Sequence, residues 1–445
     1  MIKLTNANYN ATVVEIKTLV QLENCDNVQA AIIMGNQVIV SKDTKIGEIG
    51  LFFPVETQLS KEYLSVNNLY RDSKLNVDKN KKGHFELNGR IRCVKFRGNK
   101  SEGLFMPIAS LHNLVDLGLT KSTIVELKLN VSFNEVECIE ICKKYTPKST
   151  KTPGQSGSKT KGKASKKFQI VENQFRFHND TGQLYRNLHR INTNSLISIT
   201  YKIHGTSGIS SKILVNKNLN WYEKALIKLG VKIQTQEYSI ITASRTVIKS
   251  ETSDPGFYGE DIWKIASKHL ENYLVNGMTF YYEICGYTPS GKFIQKDYDY
   301  GCTKPLSDEY IEGINYKIFI YRITQTNIDG KVFEFSAKQV QDWCKKNELN
   351  AVPELYYGYA SDLICKHRYD LYYKDVDFKD AFLDEVKRLY NEKDCYLCKN
   401  KLSEEGCVVR IEGLELEAYK CKSVRFLEKE TLQLDKGEID IESEN

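Results

Sequence analysis

The 445-residue sequence contains no run of about 18 apolar residues, the length that a membrane-spanning helix requires. Its opening segment, residues 1–8, also lacks the apolar stretch of a secretory signal peptide. We therefore expect a protein that is not secreted and that resides in the cytoplasm or another intracellular compartment. We also expect no membrane partner.

Residues with metal-ligand spacing are scarce as well. The seven histidines are scattered, and only Cys395 and Cys398 have the spacing of a zinc-binding pair. A structural zinc site usually needs a second such pair or added histidines. The nearest other pair, Cys138 and Cys142, is four residues apart. Free thiols in a reducing compartment are therefore the favoured interpretation of the cysteines.

The net charge of +6 is modest but unevenly distributed. Residues 146–167 hold lysines without any acidic residue and are rich in Pro, Gly and Ser, which is typical of a flexible linker. The last residues of the chain are mostly acidic. The sequence therefore predicts a domain at 1–145, a basic linker at 146–167, a larger domain at 168–430 and an acidic tail at 431–445. A basic segment of this kind suggests a polyanionic partner.

The two predicted domains differ in their patterns. The first has short β-branched and aromatic segments with no long helix between the early ones: 12–19, 30–34, 37–41, 50–53 and 90–96. This pattern favours a small β-barrel such as an OB-fold. The second mixes predicted strands at 196–202, 278–284, 316–323 and 407–411 with predicted helices at 260–275, 336–347 and 378–390. The predicted class is α+β.

A strand that ends in a lysine is the first candidate for chemistry. Ser198, Thr200 and Lys202 alternate with apolar residues and so share one face of the strand. Gly205 follows in a turn and would allow a ligand to approach the backbone closely. A surface lysine before a hairpin is the simpler alternative.

Two glutamates and two lysines extend the set of candidates. Glu283 lies in an otherwise uncharged aromatic strand, and Glu405 leads into the predicted strand at 407–411. A buried carboxylate needs a cationic or metal partner. Lys420 and Lys422 continue a row of apolar residues on one strand face, where phosphate oxygens could pair with them. Solvent-facing strand ends are the alternative in each case.

Taken in the order in which they occur along the chain, the segments that hold these candidates resemble the motifs of the covalent nucleotidyltransferase superfamily of ligases and capping enzymes. The correspondence runs over six short segments: Lys202–Gly205, Ser244–Arg245, Glu283–Gly286, Phe319–Ile323, Glu405–Val408 and Lys420–Lys422. Within the superfamily, the chain is most similar to the fifth type of RNA ligase, which seals nicks and carries an N-terminal OB-fold domain. Residues 50–55 and 258–263 also resemble that group.

The resemblance implies an ATP-dependent polynucleotide ligase that seals 3′-OH/5′-phosphate nicks with RNA at the 3′-OH end. Lys202 would attack the α-phosphorus of ATP as a neutral amine and carry AMP. Glu283 and Glu405 would hold Mg²⁺ or Mn²⁺, and the cation would act with Lys420 and Lys422 on the phosphates. AMP would then pass to the 5′-phosphate before the 3′-OH displaces it.

The resemblance also assigns residues that bind the nucleotide or the nucleic acid. Arg245 would grip a phosphate in the later steps, and Phe319 or Tyr321 would stack on adenine. His204 stands where many members have aspartate. An aspartate can help to hold a metal, whereas a neutral imidazole would hydrogen-bond a ribose or phosphate oxygen, so the resemblance leaves the role of His204 open. Gly205 is also among the implied nucleotide-binding residues. The implied partner is a nicked duplex bound by a monomer. A GTP-dependent capping-type enzyme and an inactive duplex-binding protein are the alternatives.

Overall fold

The computed structural model describes residues 2–116, 127–146, 169–178, 180–249, 258–306, 309–367 and 377–435. Residues 147–167 of the predicted linker and the tail beyond Asp435 lie outside these ranges. No helix within the described ranges is long and apolar enough to cross a bilayer.

The N-terminal unit is built from short strands and two helices. Its strands are β1 (Ile2–Lys3), β2 (Ala11–Glu15), β3 (Leu19–Val20), β4 (Val28–Ile33), β5 (Asn36–Ser41), β6 (Ile49–Pro54), β7 (Thr57–Leu59), β8 (Val94–Phe96), β9 (Asn99–Ser101), β10 (Gly103–Pro107), β11 (Ser132–Phe133), β12 (Glu135–Val136), β13 (Ile139–Glu140) and β14 (Cys142–Lys144). Its helices are α1 (Lys61–Val66) and α2 (Ala109–Asp116), with a 3₁₀ turn at Ser73–Leu75.

The N-terminal strands pair in the antiparallel manner. The largest ladder has the order β10-β6-β2-β11, and β3-β4-β5 forms a second sheet. One face of the larger ladder and helix α1 enclose an apolar core that includes Val13, Phe53, Tyr63 and Phe133. The opposite face of the ladder packs on the sheet β3-β4-β5. Alternating apolar residues fit this arrangement because successive side chains of a strand point to opposite faces. The ladders of the described residues are short, and β5 lies beside β9 and β10.

The C-terminal unit contains longer strands and most of the helices. Its strands are β15 (Gly182–Gln183), β16 (Leu196–Tyr201), β17 (Thr206–Asn216), β18 (Gln236–Ser244), β19 (Ile248–Lys249), β20 (Met278–Gly286), β21 (Tyr316–Thr326), β22 (Val332–Glu334), β23 (Glu354–Tyr359), β24 (Gly406–Ile411) and β25 (Glu417–Lys422). Its helices are α3 (Leu184–Asn187), α4 (Trp221–Lys228), α5 (Ile262–Leu270), α6 (Ala337–Lys346), α7 (Ala360–His367), α8 (Phe378–Tyr390) and α9 (Val424–Asp435), with 3₁₀ turns at Leu188–Arg190 and Glu271–Tyr273.

Two sheets dominate this unit. One has the order β19-β18-β17-β20-β21-β22 and is antiparallel. The other has the order β15-β25-β24-β16-β23 and is antiparallel apart from the short parallel pair β15·β25. Helices α5 and α6 pack on the first sheet, whereas α7 and α8 pack on the second. The α+β class is confirmed.

The predicted helices are present, but one of them is shorter than its apolar pattern suggests. The segment predicted as a helix at 260–275 forms α5 only from Ile262. The carboxylate of Asp261 accepts a hydrogen bond from the Lys264 amide (3.1 Å), so this residue caps the helix at its start. The last turn tightens into the 3₁₀ turn at 271–273. Helices α4 and α9 are not among those predicted.

The two units are joined by polar contacts. Lys100 pairs with Glu392 at 2.9 Å, and Arg90 pairs with Asp435 at 3.2 Å. Glu392 follows helix α8, and Asp435 is the last residue of helix α9. Helix α9 begins two residues after the predicted site residue Lys422, and its C-terminal end contacts the N-terminal unit.

Candidate active site

The end of β16 brings Lys202 next to Glu405. The Lys202 amide donates a hydrogen bond to the Gly406 carbonyl oxygen (2.9 Å), which ties the end of β16 to the start of β24. The Lys202 Nζ atom then lies 2.8 Å from Glu405 Oε1. The predicted nucleophile and the predicted metal ligand are thus in direct contact.

Glu405 lies within a cluster of cationic and aromatic side chains. Its side chain is 1% exposed, and Lys422 Nζ lies 3.5 Å from Oε1. Burial alone raises the pKa of this carboxyl group, but the nearby Lys202 and Lys422 outweigh burial and lower the pKa to about 2. Glu405 is therefore ionised at neutral pH, as a carboxylate that binds a metal must be.

The turn at Gly406 makes this contact possible. Gly406 has a φ of +126°, and a Cβ atom there would lie 2.1 Å from the Cys421 carbonyl oxygen. Only glycine fits a backbone that is both left-handed and this close to a neighbouring strand. Gly406 also pairs in register with Lys422, which places Glu405 beside the end of β25.

Glu283 belongs to the opposite sheet. It pairs in register with Ser207 of β17, and the Ser207 hydroxyl donates a hydrogen bond to Glu283 Oε1 (2.7 Å). Its side chain is only partly buried and lines the cleft between the sheets. The serine therefore fixes the orientation of the carboxylate.

The cleft between the two sheets contains about 1020 Å³ of space, which includes open solvent. Six of the predicted site residues line it: Lys202, Arg245, Glu283, Tyr321, Lys420 and Lys422. Further residues that line it come from β16, β24 and the segment that leads into and forms β25: Ser198, Thr200, Val408, Arg410, Leu416 and Ala418. The alternation predicted for β16 and β25 is present in both strands.

Four other predicted site residues are not among those that line the cleft: His204, Gly205, Phe319 and Glu405. The imidazole of His204 packs edge-on against Tyr298 and Phe426, with ring centroids 4.9 and 4.8 Å away. Its Nδ1 atom lies 3.6 Å from Glu405 Oε2, so the ring supports that carboxylate from behind. Phe319 is buried in the core beside Tyr300.

Gly205 is required for a contact within the protein. A Cβ atom at this position would lie 2.6 Å from the Ile284 carbonyl oxygen and 2.8 Å from Cys285 Sγ. The close approach predicted at Gly205 is thus to strand β20 and not to a ligand. This packing brings the segment after Lys202 against the strand that carries Glu283.

Replacing Gly205 with alanine should therefore lower stability. The added methyl group would force β20 away from the turn, and we expect a loss of about 1–3 kcal/mol in the free energy of unfolding. Gly413→Ala is the matched control, because no heavy atom lies within 4 Å of its ideal Cβ. Thermal unfolding of both variants measures the difference, and equal stabilities would contradict this packing argument.

Tyr321, unlike Phe319, lies at the cleft and has a polar neighbour. Its hydroxyl lies 3.1 Å from His178 Nδ1, and the two rings meet edge-on. The next residue, Arg322, forms a buried ion pair with Glu334 and lies over the Tyr281 ring. Tyr321 is therefore the better placed of the two predicted stacking residues.

Several cleft residues were not predicted as site residues from the sequence. They are His178, Ser207, Arg322 and Arg410. Ser207 lies two residues after the segment Lys202–Gly205, and Arg322 lies within the segment Phe319–Ile323. Their closeness to these motifs could have indicated that they belong to the site. His178 comes from a segment that has no pattern of its own and is brought to the cleft only by tertiary folding.

A second crevice adjoins the cleft and separates the two units. Arg245, Lys420 and Lys422 line both, and Lys144 of the N-terminal unit reaches the crevice as well. Here Arg245 forms an ion pair with Asp180. Partial burial raises the pKa of Asp180, but Arg245 and Lys420 outweigh burial and lower it. The crevice is lined by both signs of charge, because Glu56, Glu102 and Glu430 also line it.

The two predicted metal-binding carboxylates, Glu283 and Glu405, fit a hard divalent cation better than zinc. Within the ranges described, no three His, Cys, Asp or Glu side chains converge closely enough to bind a metal by themselves. Mg²⁺ and Mn²⁺ accept one or two carboxylates together with waters and substrate phosphates. Glu283 and Glu405 fit that mode, whereas Cys395 and Cys398 form a thiol pair with sulfurs 3.5 Å apart.

Comparisons with known proteins agree with this architecture. A family model described as an OB-fold domain matches residues 10–108. No curated protein matches the chain by sequence. The chain is similar to solved structures of Naegleria gruberi RNA ligase variants.

One such variant, with ATP and Mn, has a TM-score of 0.56 at 14% identity and covers 94% of this chain and 98% of that chain. Another, with AMP and Mn, has a TM-score of 0.53 at 13% identity with the same coverage. A third, with ATP and Mn, has a TM-score of 0.54 at 13% identity and covers 95% and 99% of the two chains. At these identities the likeness establishes a shared fold over nearly the whole chain: an N-terminal OB-fold domain followed by a sheet domain.

Proposed function

We propose that the protein is an ATP-dependent RNA ligase that seals 3′-OH/5′-phosphate nicks through a lysine–AMP intermediate. The observation that carries the proposal is the Lys202–Glu405–Lys422 cluster at the edge of the cleft. The fold shared with RNA ligases whose structures contain ATP or AMP and Mn supports the same reaction class.

Lys202 is the proposed nucleophile. Its Nζ would attack the α-phosphorus of ATP, forming an N–P bond while the P–O bond to pyrophosphate breaks. Before attack, the Lys202 ammonium must break its contact with Glu405 and give up one proton to solvent. A second proton leaves the nitrogen for solvent as the N–P bond forms. Lys420 and Lys422 favour the neutral amine by repulsion and offset the negative charge on the phosphate oxygens.

Glu283 and Glu405 would hold the divalent cation. When bound, that cation would polarise phosphate oxygens as a Lewis acid. Ser207 would keep Glu283 oriented through its hydrogen bond, while His204 would support Glu405. Tyr321 would contact adenine across the cleft.

The direct test is transfer of label from ATP. Incubation of the protein with α-³²P-labelled ATP and Mg²⁺ or Mn²⁺ should give a labelled protein band, and chelation of the metal should abolish it. GTP in the same assay tests the capping-type alternative. Absence of any adduct, together with intact duplex binding, would identify the protein as a binding protein and overturn the proposal.

A nick series tests the RNA specificity. We expect fastest sealing when the terminal 3′-OH nucleotides are RNA, and little dependence on the sugar of the 5′-phosphate strand. Sealing of a set of nicked duplexes that differ only at these nucleotides measures this. Equal rates on RNA and DNA 3′ ends would instead assign a DNA ligase.

Arg245 is proposed to act on the nucleic-acid phosphate rather than on ATP. Arg245→Ala should lower sealing roughly ten- to hundredfold, because a guanidinium positions a phosphate strongly, while adduct formation changes little. Asp180→Asn breaks the same ion pair but keeps the guanidinium, so sealing should persist in this control. An equal loss in both variants would mean that the pair matters only for structure.

A further inference from the structure

Helix α4 is an exposed amphipathic helix at the tip of the hairpin formed by β17 and β18. Every residue of the helix except Glu223 is exposed, and Trp221 reaches 82% exposure. Trp221 and Ala225 are four residues apart, as are Tyr222 and Leu226, so they share one face. An isolated helix this short is marginal in water. An exposed aromatic face of this kind marks a binding surface.

The tip also carries an excess of positive charge. Lys217, Lys224, Lys228 and Lys232 lie within or beside the helix, and Glu223 is the one acidic residue between them. The Glu223 carboxylate accepts a hydrogen bond from the Asn220 amide at 2.7 Å and so closes a capping box. This excess of positive charge suits an anionic partner. A second copy of the chain would bring like charges together.

The hairpin connects the tip to the cleft. Strand β17 begins at Thr206, next to the cleft residue Ser207, and β18 ends at Ser244, directly before Arg245. The 11 residues of β17 at about 3.3 Å per residue place the tip about 35 Å from the cleft. One turn of a B-form duplex spans a similar length, about 34–36 Å.

We propose that Trp221, Tyr222 and the four lysines, which together form the tip surface, bind one arm of the duplex about a helical turn from the nick. The lysines would contact phosphates, and the aromatic rings would pack against sugars or exposed bases. This inference rests on the proposed ligase function. It adds a second duplex contact, at the end of the β17–β18 hairpin, to the phosphate contact proposed for Arg245.

A nucleic acid fits better than an anionic membrane. A helix of eight residues offers little apolar area, and stable attachment to a bilayer takes more than one weak signal. A duplex already held at the cleft would instead meet the tip at a high effective concentration. The surface would then raise affinity without taking part in the chemistry.

The test varies the length of each duplex arm. Nicked duplexes with arms of about 6 or about 20 base pairs on either side span less or more than one turn. Dissociation constants are measured for the wild type, Lys224→Glu/Lys228→Glu and Trp221→Ala. The control is Lys338→Glu/Lys345→Glu, which makes the same charge change on helix α6. The labelled-ATP assay is run on every variant.

We expect the tip variants to bind duplexes about five- to twentyfold more weakly when one particular arm is long. For the lysine variant, the slope of log affinity against log salt concentration should also fall in magnitude by roughly two. With that arm shortened, wild type and variants should agree within about twofold. The same loss at every arm length, or no loss, would overturn the inference. Binding of the same proteins to phosphatidylserine vesicles is measured alongside. If the tip variants keep their duplex affinity but no longer bind the vesicles, the surface binds lipid instead. A wild type that binds duplex in this arm-dependent way but forms no adduct would refute the ligase function alone.

Discussion

Replacing Lys202 with alanine should reduce covalent attachment of AMP to below roughly a thousandth of the wild-type level, because the attacking amine is removed. The neighbouring Lys420 and Lys422 line the same cleft but do not follow β16. Neither occupies the position that contacts Glu405 at 2.8 Å. Gel detection of the α-³²P adduct measures the loss.

Two controls separate the nucleophile from the ion pair. Lys202→Arg keeps a positive charge beside Glu405 but is not a nucleophile at neutral pH, so it should stay folded and form no adduct. A nick whose 5′ end already carries AMP bypasses the first step, so both variants should retain part of the final sealing activity. A normal adduct in Lys202→Ala would show that another residue carries AMP.

Loss of the Glu405 charge should have the second largest effect. Glu405→Gln should lower adduct formation at least roughly a hundredfold, comparable with removal of one preorganised charge from an active site. The substitution leaves Lys202 and Lys422 facing each other without the anion between them. We therefore also expect a loss of about 1–3 kcal/mol in the free energy of unfolding.

The adjacent residue offers a matched control. Glu404 is 4% exposed, and its burial raises the pKa to about 7 despite the hydrogen bond from the Lys393 amide. Glu404 is thus already partly neutral at pH 7, and Glu404→Gln should change adduct formation less than about threefold. Adduct yield and thermal unfolding are measured for Glu405→Gln and Glu404→Gln to compare the effects of the two charges. Equal effects would mean that the charge of Glu405 has no special role.

Strand alternation explains how much of the site was predictable. The rows that contain Ser198, Thr200 and Lys202, and Ala418, Lys420 and Lys422, line the cleft because side chains of a strand alternate with a period of two. The strand spacing therefore predicted which lysines share one face. The α+β class followed from the same patterns.

What the sequence could not predict depends on partners distant in the chain. His204 follows a β-strand, yet its ring is oriented by Tyr298 and Phe426 from other parts of the fold. No local pattern links these three residues. Similarly, the choice between Phe319 and Tyr321 depends on packing of the core, because both lie on the same strand and both are aromatic.

The position of β25 has a consequence for the order in which the protein is made. Lys202 and Lys422 lie side by side around Glu405, yet 220 residues of chain separate them in translation order. At about 5–20 residues per second, a ribosome needs roughly 10–45 s to cover that interval. The pair of cations around Glu405 cannot exist until β25 has emerged. A nascent chain therefore has no complete site for ATP, and premature termination anywhere before residue 422 yields a protein without one.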